Sequence, residues 1–481
     1  MKLVKRLKEI CSDKKEAAYC SALLFIMLFG LGLRINAYFM DTSMWYDEVS
    51  LALNVRNNVF LPPLLNNQSA PFLFLILAKI CSLFSHSNFS YRFIPFISGL
   101  VSIPVFYIFA KNFIKSKLGL ILSLFIFCIN FRLIYFSREF KPYALDVLIF
   151  MLAVAYFFKI DFKKISALKN FFCGLGFALL PLLSFPSLFV LAACFCSMLL
   201  KIKEDFKKAL AFLVPSLVLV SVYYFLFLSN YSGNEYFQKF WHGGFISLNT
   251  TLPAIVKMFG YFMEPVSVNI FFLFSVLAGL ILCFRQNTKK TFFVFAVFAF
   301  VLLASFLHKY PLSDRLALFL FPLSLVFAFK IFDVNLKKIW ISILLFLLSF
   351  GFYIKADLAQ VFNDKSYHRE AISGLLNVLK SEYKEGEYIL PLPWSDVAFE
   401  HYNRVYKFPS KYIIKSEINH AENYTAPFHS APKGRYWLIF TIQSENYPRY
   451  MDLQRWLERD FKVIQIHKDH YSRMYYAEKI R

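Results

Sequence analysis

Long apolar segments separated by short basic ones fill the first 355 residues of the chain. A transmembrane helix needs about 20 apolar residues, and a soluble domain rarely contains many segments of that kind. Because 58% of the residues are hydrophobic and 20% are aromatic, we predict a polytopic α-helical membrane protein with about 11 transmembrane helices. The predicted spans are approximately 18–40, 93–113, 118–136, 142–158, 170–182, 185–200, 209–229, 265–284, 291–307, 316–332 and 339–354.

The formal net charge of +22 comes from short clusters of Lys and Arg between these spans. No continuous basic face follows from that distribution, so nucleic acid is not an expected partner. The positive-inside rule instead assigns each cluster to the cytoplasm: residues 1–17, 111–117, 159–169, 201–208, 285–290 and 330–338. The remaining loops are then extracytoplasmic: 41–92, 137–141, 230–264, 308–315 and everything after 355.

Two apolar segments differ in length from a single transmembrane helix, one being too short and the other too long. Residues 71–84 cover only about 21 Å as a helix, against a hydrocarbon core of about 30 Å, so a helix at the membrane interface is predicted there. Residues 170–200 are too long for one span and are interrupted near Pro186. A helical hairpin is predicted, because one tilted span would move the lysines of 201–208 to the outside.

The tail is rich in charge and changes character sharply after residue 355. Its strand-like runs alternate with helical patterns near 366–380 and 449–460, which predicts a small soluble α/β domain. The predicted strands are Glu387–Leu392, Tyr436–Ile442, Val463–His467 and Met474–Ala477. The chain is therefore divided into a transmembrane domain, 1–355, and a C-terminal extracytoplasmic α/β domain, 356–481.

The extracytoplasmic loops contain the ionisable residues that best suit a catalytic site. Asp47 and Glu48 follow the first span, Arg92 begins the second, and two further clusters occupy 137–143 and 308–315. Carboxylates beside cations suit a transferase with a lipid-phosphate donor, because cations bind the phosphate and a carboxylate deprotonates the acceptor or binds a metal. Ordinary structural roles remain open: helix N-terminal charges for the acids, a local pair for Arg138 and Glu139, interface anchors for Lys309 and Arg315, and a solvated loop for His308.

Five short motifs occur in an order that resembles the C-type glycosyltransferase superfamily. The resemblance is closest to the branch with bacterial protein O-mannosyltransferases and lipid A aminoarabinose transferases. The motifs are Trp45–Glu48, Gln68–Phe72, Tyr91–Pro95, Ser137–Tyr143 and Tyr310–Arg315. Lys141 stands where many relatives have arginine, so it can neutralise a phosphate but lacks the bidentate fork.

The resemblance implies a glycosyltransferase that moves a hexose or pentose from a polyprenyl phosphate to an extracytoplasmic lipid, glycan or protein. Asp47 would be the base or a metal-linked carboxylate, and Glu139 a further catalytic carboxylate. Glu48 is expected to support Asp47, since adjacent helical residues project about 100° apart. The residues that would bind substrate are Arg92, Arg138, Lys141, Tyr143, His308, Lys309 and Arg315.

Other functions and a metal cofactor remain open at this point. A flippase or transporter for lipid-linked sugars, or a glycan polymerase or ligase, would act on the same substrate class. A divalent metal ion is a possible cofactor with unknown ligands. His467, Asp469 and His470 form a weak metal-binding pattern that is more typical of a protein surface. The expected location is a cell membrane, in bacteria the inner one, with the active site on the extracytoplasmic side.

Overall fold

The computed structural model describes residues 13–40, 42–162, 164–200, 205–262, 270–334, 339–392, 395–414, 432–441 and 455–480. The basic residues 1–12 and parts of the predicted cytoplasmic segments 201–208 and 330–338 lie outside the described residues. The chain forms two compact units. We call Met1–Phe39 with Phe60–Phe362 the helical unit, and Met40–Val59 with Asn363–Arg481 the C-terminal unit.

The helical unit consists of α-helices joined by short connections. Its helices are α1 Lys14–Phe39, α3 Phe72–Ser82, α4 Asn88–Ala110, α5 Lys117–Ile129, α6 Phe131–Phe136, α7 Tyr143–Lys159, α8 Ala167–Leu179, α9 Ser187–Leu199, α10 Phe206–Tyr223, α11 Ser229–Ser232, α12 Glu235–Phe240, α13 Thr251–Phe262, α14 Ile270–Gln286, α15 Thr288–Phe306, α16 Phe321–Lys330 and α17 Ile339–Val361. Helix α2, Tyr46–Arg56, belongs to the C-terminal unit.

Each of the eleven predicted spans contains a helix, and the mostly helical fold is confirmed. By length and composition, five helices among the described residues can cross a membrane: Lys14–Phe39, Asn88–Ala110, Phe206–Tyr231, Thr288–Phe306 and Asp314–Asp333. Several other apolar helices are shorter, so the number of eleven crossings stays a prediction. The segment predicted at the interface forms α3, whose 11 residues span about 16 Å.

Four predicted spans are not continuous α-helices. Span 170–182 ends in a 3₁₀ turn, Leu180–Leu182, and span 209–229 contains a π-helical turn, Tyr224–Leu228. Asn130 separates α5 from α6, because its backbone leaves the helical region and its side chain accepts a hydrogen bond from the Leu133 N–H at 2.9 Å. This is the geometry of a helix N-cap. Asp314–Leu320 is a 3₁₀ helix that leads into α16, where Pro322 occupies the first turn. The chain therefore bends beside two of the sequence motifs.

Several predicted cytoplasmic segments meet at one end of the helical unit. The Asp333 carboxylate accepts hydrogen bonds from the backbone N–H groups of Lys115 and Ser116, each at 2.8 Å, and from the Lys330 ammonium at 2.8 Å. Lys330 also donates to Gln286 at 3.0 Å. Segments 111–117, 285–290 and 330–334 thus share one face, which we call the basic end.

The directions of the helices place the motif residues away from the basic end. Helix α4 runs from Asn88 toward the basic end at Ala110, and α16 runs from Phe321 to Lys330. Helix α5 starts beside the basic end at Lys117 and leads to α6 and residues 137–143. Arg92, residues 137–143 and Arg315 therefore lie at the opposite end of the helical unit.

The C-terminal unit contains a four-stranded sheet. Its strands are β1 Tyr388–Pro391, β2 Arg435–Phe440, β3 Phe461–Asp469 and β4 Ser472–Lys479, in the order β1-β2-β4-β3. Strands β1 and β2 are parallel and are connected through α19, Ser395–Tyr406, while the other pairs are antiparallel. Helix α18, Ser373–Glu382, precedes β1. The small C-terminal sheet expected from the sequence is confirmed.

Apolar residues of the strands form the core of this unit. One cluster contains Leu390, Leu438, Phe440, Trp456, Phe461 and Tyr475, all buried. Strand alternation directs Trp437 to the other face, where its indole N–H donates to the Glu387 carboxylate at 2.8 Å. Tyr476 donates to the same carboxylate at 2.5 Å. This buried acid therefore links the edge of β1 to the two central strands.

Candidate active site

Asp47 and Glu48 lie in the first turn of α2 and have different surroundings. Glu48 is 1% exposed, and its Oε2 accepts the backbone N–H of Trp45 at 3.4 Å. That contact ties the Glu48 side chain to the helix start, as in a capping box. Asp47 is partly exposed. Both carboxylates are stabilised by the positive end of the helix dipole.

Ser43 and Met44, immediately before α2, form hydrogen bonds with residues of the tail. Ser43 Oγ accepts hydrogen bonds from the backbone N–H groups of Ile372 and Ser373, each at 3.1 Å, and lies 2.6 Å from the Ser373 hydroxyl. The Met44 N–H donates to the Tyr402 hydroxyl at 2.7 Å. Ser43 therefore acts as an N-terminal cap for α18, although it is distant in the sequence.

Glu370 and Arg369 contact the N-terminus of α2 directly. The Tyr46 N–H donates to Glu370 Oε2 at 2.9 Å, and the Arg369 guanidinium lies 4.5 Å from the centre of the Trp45 ring. Burial raises the pKa of Glu370 to about 8, and the negative charge of Asp47 adds to the shift while the Tyr46 N–H opposes it. Glu370 is then mostly protonated at neutral pH, which limits the repulsion among three neighbouring carboxyl groups.

Residues 137–141 of the helical unit form a buried charged turn between α6 and α7. Arg138, Glu139 and Lys141 are 3%, 2% and 4% exposed. The Lys141 ammonium donates to the Gln68 side-chain oxygen at 2.7 Å. This contact joins the turn to the segment that contains the Gln68–Phe72 motif.

Aromatic packing around Phe140 brings a third motif to the same place. The Phe140 ring lies 5.5 Å from the Phe74 ring and 5.4 Å from the Tyr91 ring, measured between centroids. Arg92, next to Tyr91 on α4, is 4% exposed. The motifs around Gln68, Arg92 and Arg138 therefore converge, as their order in the sequence suggested.

Arg315 approaches this group from the 3₁₀ helix before α16. Its guanidinium lies 5.6 Å from the centre of the Tyr143 ring, within the range of a cation–π contact. Tyr143 also packs edge-on against Phe136 at 5.1 Å. The loop before Arg315 is fixed by Tyr310, whose hydroxyl donates to the Leu316 carbonyl at 2.8 Å.

His308 and Lys309 are exposed and make contacts of a different kind. The His308 ring stacks on Phe245 at 4.8 Å, and its carbonyl accepts a hydrogen bond from Gln238 at 3.0 Å. These contacts join His308 to the loop around α12. The structure thus groups Arg315 with Tyr143 but places His308 against another loop, and the roles of both in substrate binding stay predictions.

Three residues that the sequence analysis did not select contribute to these surroundings. Glu370 lies in the tail, and no sequence pattern indicates that it contacts Tyr46. Asp146 is buried on α7 one turn after Tyr143 and interacts electrostatically with Tyr310. Gly99 of α4 faces the charged turn so closely that a Cβ there would lie 2.3 Å from Ser137 Cβ. Of these three residues, only Asp146 could have been found from the sequence, because a carboxylate inside an apolar span is unusual.

Each unit contains its own set of ionisable groups. The C-terminal unit offers the Asp47 and Glu48 carboxylates, which can accept a proton or, as hard oxygen donors, bind a divalent cation. The helical unit offers the cations Arg92, Arg138, Lys141 and Arg315, which suit a phosphate.

Replacing Ser43 with Ala should destabilise the C-terminal unit by about 1–3 kcal/mol, because two backbone N–H groups at the start of α18 lose their acceptor. The measurement is thermal unfolding of the purified chain, with limited proteolysis of the tail. Ser381→Ala is the matched control, since this exposed hydroxyl bonds only within α18. Equal stability of the two variants would contradict the capping role.

No protein-family model matches the chain, and no curated protein matches its sequence. Among solved structures, it is similar to ArnT from Cupriavidus metallidurans bound to undecaprenyl phosphate, with a TM-score of 0.56 and 11% identity over 94% of this chain and 97% of that one. The apo structure of the same ArnT gives a TM-score of 0.40 and 12% identity, covering 95% and 98% of the two chains. An Archaeoglobus fulgidus oligosaccharyltransferase, in complex with Zn and sulfate, gives a TM-score of 0.47 and 15% identity, covering 79% of this chain and 60% of that one. The first likeness supports the conclusion that this protein shares the fold of the ArnT structure.

Proposed function

We propose that the protein is a membrane glycosyltransferase that moves a sugar from a polyprenyl-phosphate donor to an extracytoplasmic acceptor. The observation that carries the proposal is the convergence of buried cations at the end of the helical unit opposite the basic end. Arg92, Arg138 and Lys141 are each less than 5% exposed there. The ArnT structure with the same fold holds undecaprenyl phosphate, which is a ligand of the chemistry that such cations suit.

The cations would act on the donor phosphate. As the bond between the sugar C1 and the phosphate oxygen breaks, negative charge accumulates on the leaving phosphate. Arg315 would stabilise that charge with its planar fork, with Arg138 and Lys141 as further phosphate contacts. Arg92, Tyr143, His308 and Lys309 are proposed to bind other parts of the substrate.

The carboxylates would act on the acceptor. Asp47, the more exposed member of the pair, would take the proton of the acceptor hydroxyl while the oxygen bonds to the sugar C1. Glu48 would fix the first turn of α2 through its contact with the Trp45 N–H. Glu139 is proposed as a further catalytic carboxylate. If a divalent cation takes part, Asp47 would hold it, and it would supply positive charge for the phosphate oxygens.

We further propose that Asp47 and the tail are extracytoplasmic, as the positive-inside rule requires when the basic end faces the cytoplasm. Cysteines introduced at positions 47 and 400, in a variant whose native cysteines are replaced, should react with an impermeant thiol reagent in intact cells or spheroplasts. A cysteine introduced at position 116 of the basic end is the control and should react only after permeabilisation. The reverse labelling pattern would contradict this topology.

Asp47→Asn should lower the rate of transfer about 10²–10⁴-fold, because the amide keeps the shape of the side chain but cannot take a proton. Glu48→Gln should have a smaller effect on rate. The assay uses detergent-purified protein, a short-chain polyprenyl-phosphate sugar and candidate envelope acceptors. Glu400→Gln is the control, since this exposed acid of α19 pairs only with the neighbouring Arg404 among the described contacts. Normal turnover by Asp47→Asn would exclude it as the base.

Arg315→Ala should reduce both turnover and donor affinity, because the positive charge of Arg315 would stabilise the negative charge that develops on the leaving phosphate. Arg315→Lys should restore only part of the rate, because a point charge replaces a fork. Arg285→Ala, which removes the same charge at the basic end, should behave like the wild type.

The same assay distinguishes transfer from transport. Wild-type protein that moves polyprenyl-phosphate sugars across liposomes but forms no glycosidic bond with any acceptor would support a flippase instead. A polymerase or ligase would be indicated by a product that contains more than one transferred unit. Mass spectrometry of envelope lipids, glycans and glycoproteins with and without the gene would then identify the sugar and its acceptor.

A further inference from the structure

Two histidines and an aspartate of the C-terminal unit have potential metal-ligand atoms close to one another. Asp364 and His368 lie in and just after a 3₁₀ turn, Asp364–Tyr367. His470 occupies the tight turn between β3 and β4, with a left-handed φ of 51°. One ligand atom from each residue lies within 4.8 Å of the other two. Among the described residues, this is the group of three such side chains that could hold a metal ion.

The ligand atoms of Asp364 and His368 are already at a distance that suits coordination of one metal ion. His368 Nε2 lies 3.4 Å from Asp364 Oδ2. A tetrahedral zinc ion with bonds of about 2.0–2.1 Å keeps its ligand atoms about 3.3 Å apart. This distance is longer than the 2.7–2.9 Å of a charge-assisted hydrogen bond. The pair therefore fits shared coordination better than a direct ion pair.

The third ligand is oriented by a neighbouring carboxylate. His470 Nδ1 lies 2.8 Å from Asp469 Oδ1, so Nδ1 carries the proton that is donated and Nε2 keeps its lone pair. Metal-binding histidines usually have such a carboxylate on the other ring nitrogen.

Asp469 is itself held in place by the start of α18. It packs so closely on Gly374 that a Cβ at that position would lie 2.0 Å from Asp469 Oδ2. The N-terminus of α18 stabilises its negative charge. Asp469 therefore remains a suitable acceptor for the His470 ring proton.

The two histidine rings are stacked in parallel, with centroids 3.9 Å apart and an interplanar angle of 6°. To bind one shared ion, the two rings must tilt apart until the nitrogen lone pair of each ring points at that ion. His470 is at an exposed turn, where that rotation displaces no core residue.

We propose that Asp364, His368 and His470 bind one divalent transition-metal ion of the zinc type, with water as the fourth ligand. The ion would connect the chain after α17 to the β3–β4 turn. Residues 364–370 would become more ordered, including Arg369 and Glu370, which contact the residues at the start of α2. The site is separate from the carboxylates of α2 and does not depend on the proposed transfer reaction.

The test is zinc binding by the full-length protein, purified in detergent and stripped with a chelator. Titration with ZnCl₂ against a chromophoric chelator should show one tight site per chain. Cobalt(II) in the same site should give the visible bands of tetrahedral nitrogen and oxygen coordination without the thiolate charge-transfer band, which excludes the cysteines. Zinc should also raise the unfolding temperature of the wild type.

Asp469→Asn should weaken zinc binding about 10–100-fold by removing the group that orients His470. His470→Ala and Asp364→Asn remove ligands and should weaken it at least as much. His467→Ala is the matched control, because this histidine of β3, close to His470 in the sequence, contacts Glu382 instead. If His470→Ala fails to fold, the exposed Asp364→Asn variant decides the outcome. Equal zinc affinity in wild type and Asp364→Asn, or no stoichiometric zinc in the wild type, would overturn the proposal.

Discussion

The position of Asp47 depends on hydrogen bonds between α2 and residues near the other end of the sequence. An isolated helix of 11 residues is unstable in water, so α2 needs tertiary contacts. It obtains them from α19 and from the Tyr46–Glu370 hydrogen bond, whose partners are separated by 324 residues in the chain. Val49 and Val55 are completely buried on this helix. The tail is therefore part of the support for the first-loop carboxylates, and damage to α18 or α19 should affect them.

Several buried cations of the helical unit donate hydrogen bonds that join separate segments of the chain. Arg34 donates to the carbonyls of Gly30 and Cys128 at 3.1 and 3.0 Å, and Lys330 pairs with Asp333. These partners satisfy the cations and join helices, which explains them structurally. Lys141 donates to the side-chain oxygen of Gln68, which joins the charged turn to the Gln68–Phe72 segment.

The apolar pattern predicted where the helices lie because each span must bury or shield a continuous hydrophobic surface. It did not predict the break at Asn130, since a single polar residue in a long apolar run is compatible with an unbroken helix. The motif order brought Gln68, Arg92 and Lys141 into one hypothesis, and the structure places their segments together. Glu370 and His368 could not be found in the same way. Their partners are set by how the tail folds onto the first loop and onto the β3–β4 turn, and local patterns contain no information on such distant pairs.

The first turn of α2 shows how two adjacent carboxylates acquire different chemistry. Residues 47 and 48 share the helix dipole, but they project about 100° apart. Glu48 points back to the Trp45 N–H and is buried, so protonating it would weaken the bond that begins the helix. Asp47 keeps partial exposure, and its charge is felt by Glu370. Burial raises the pKa of Glu370 above that of an ordinary carboxyl group, and the charge of Asp47 adds to that shift. A base must be accessible to its substrate, so the proposal assigns that role to Asp47, which is partly exposed, and not to the buried Glu48.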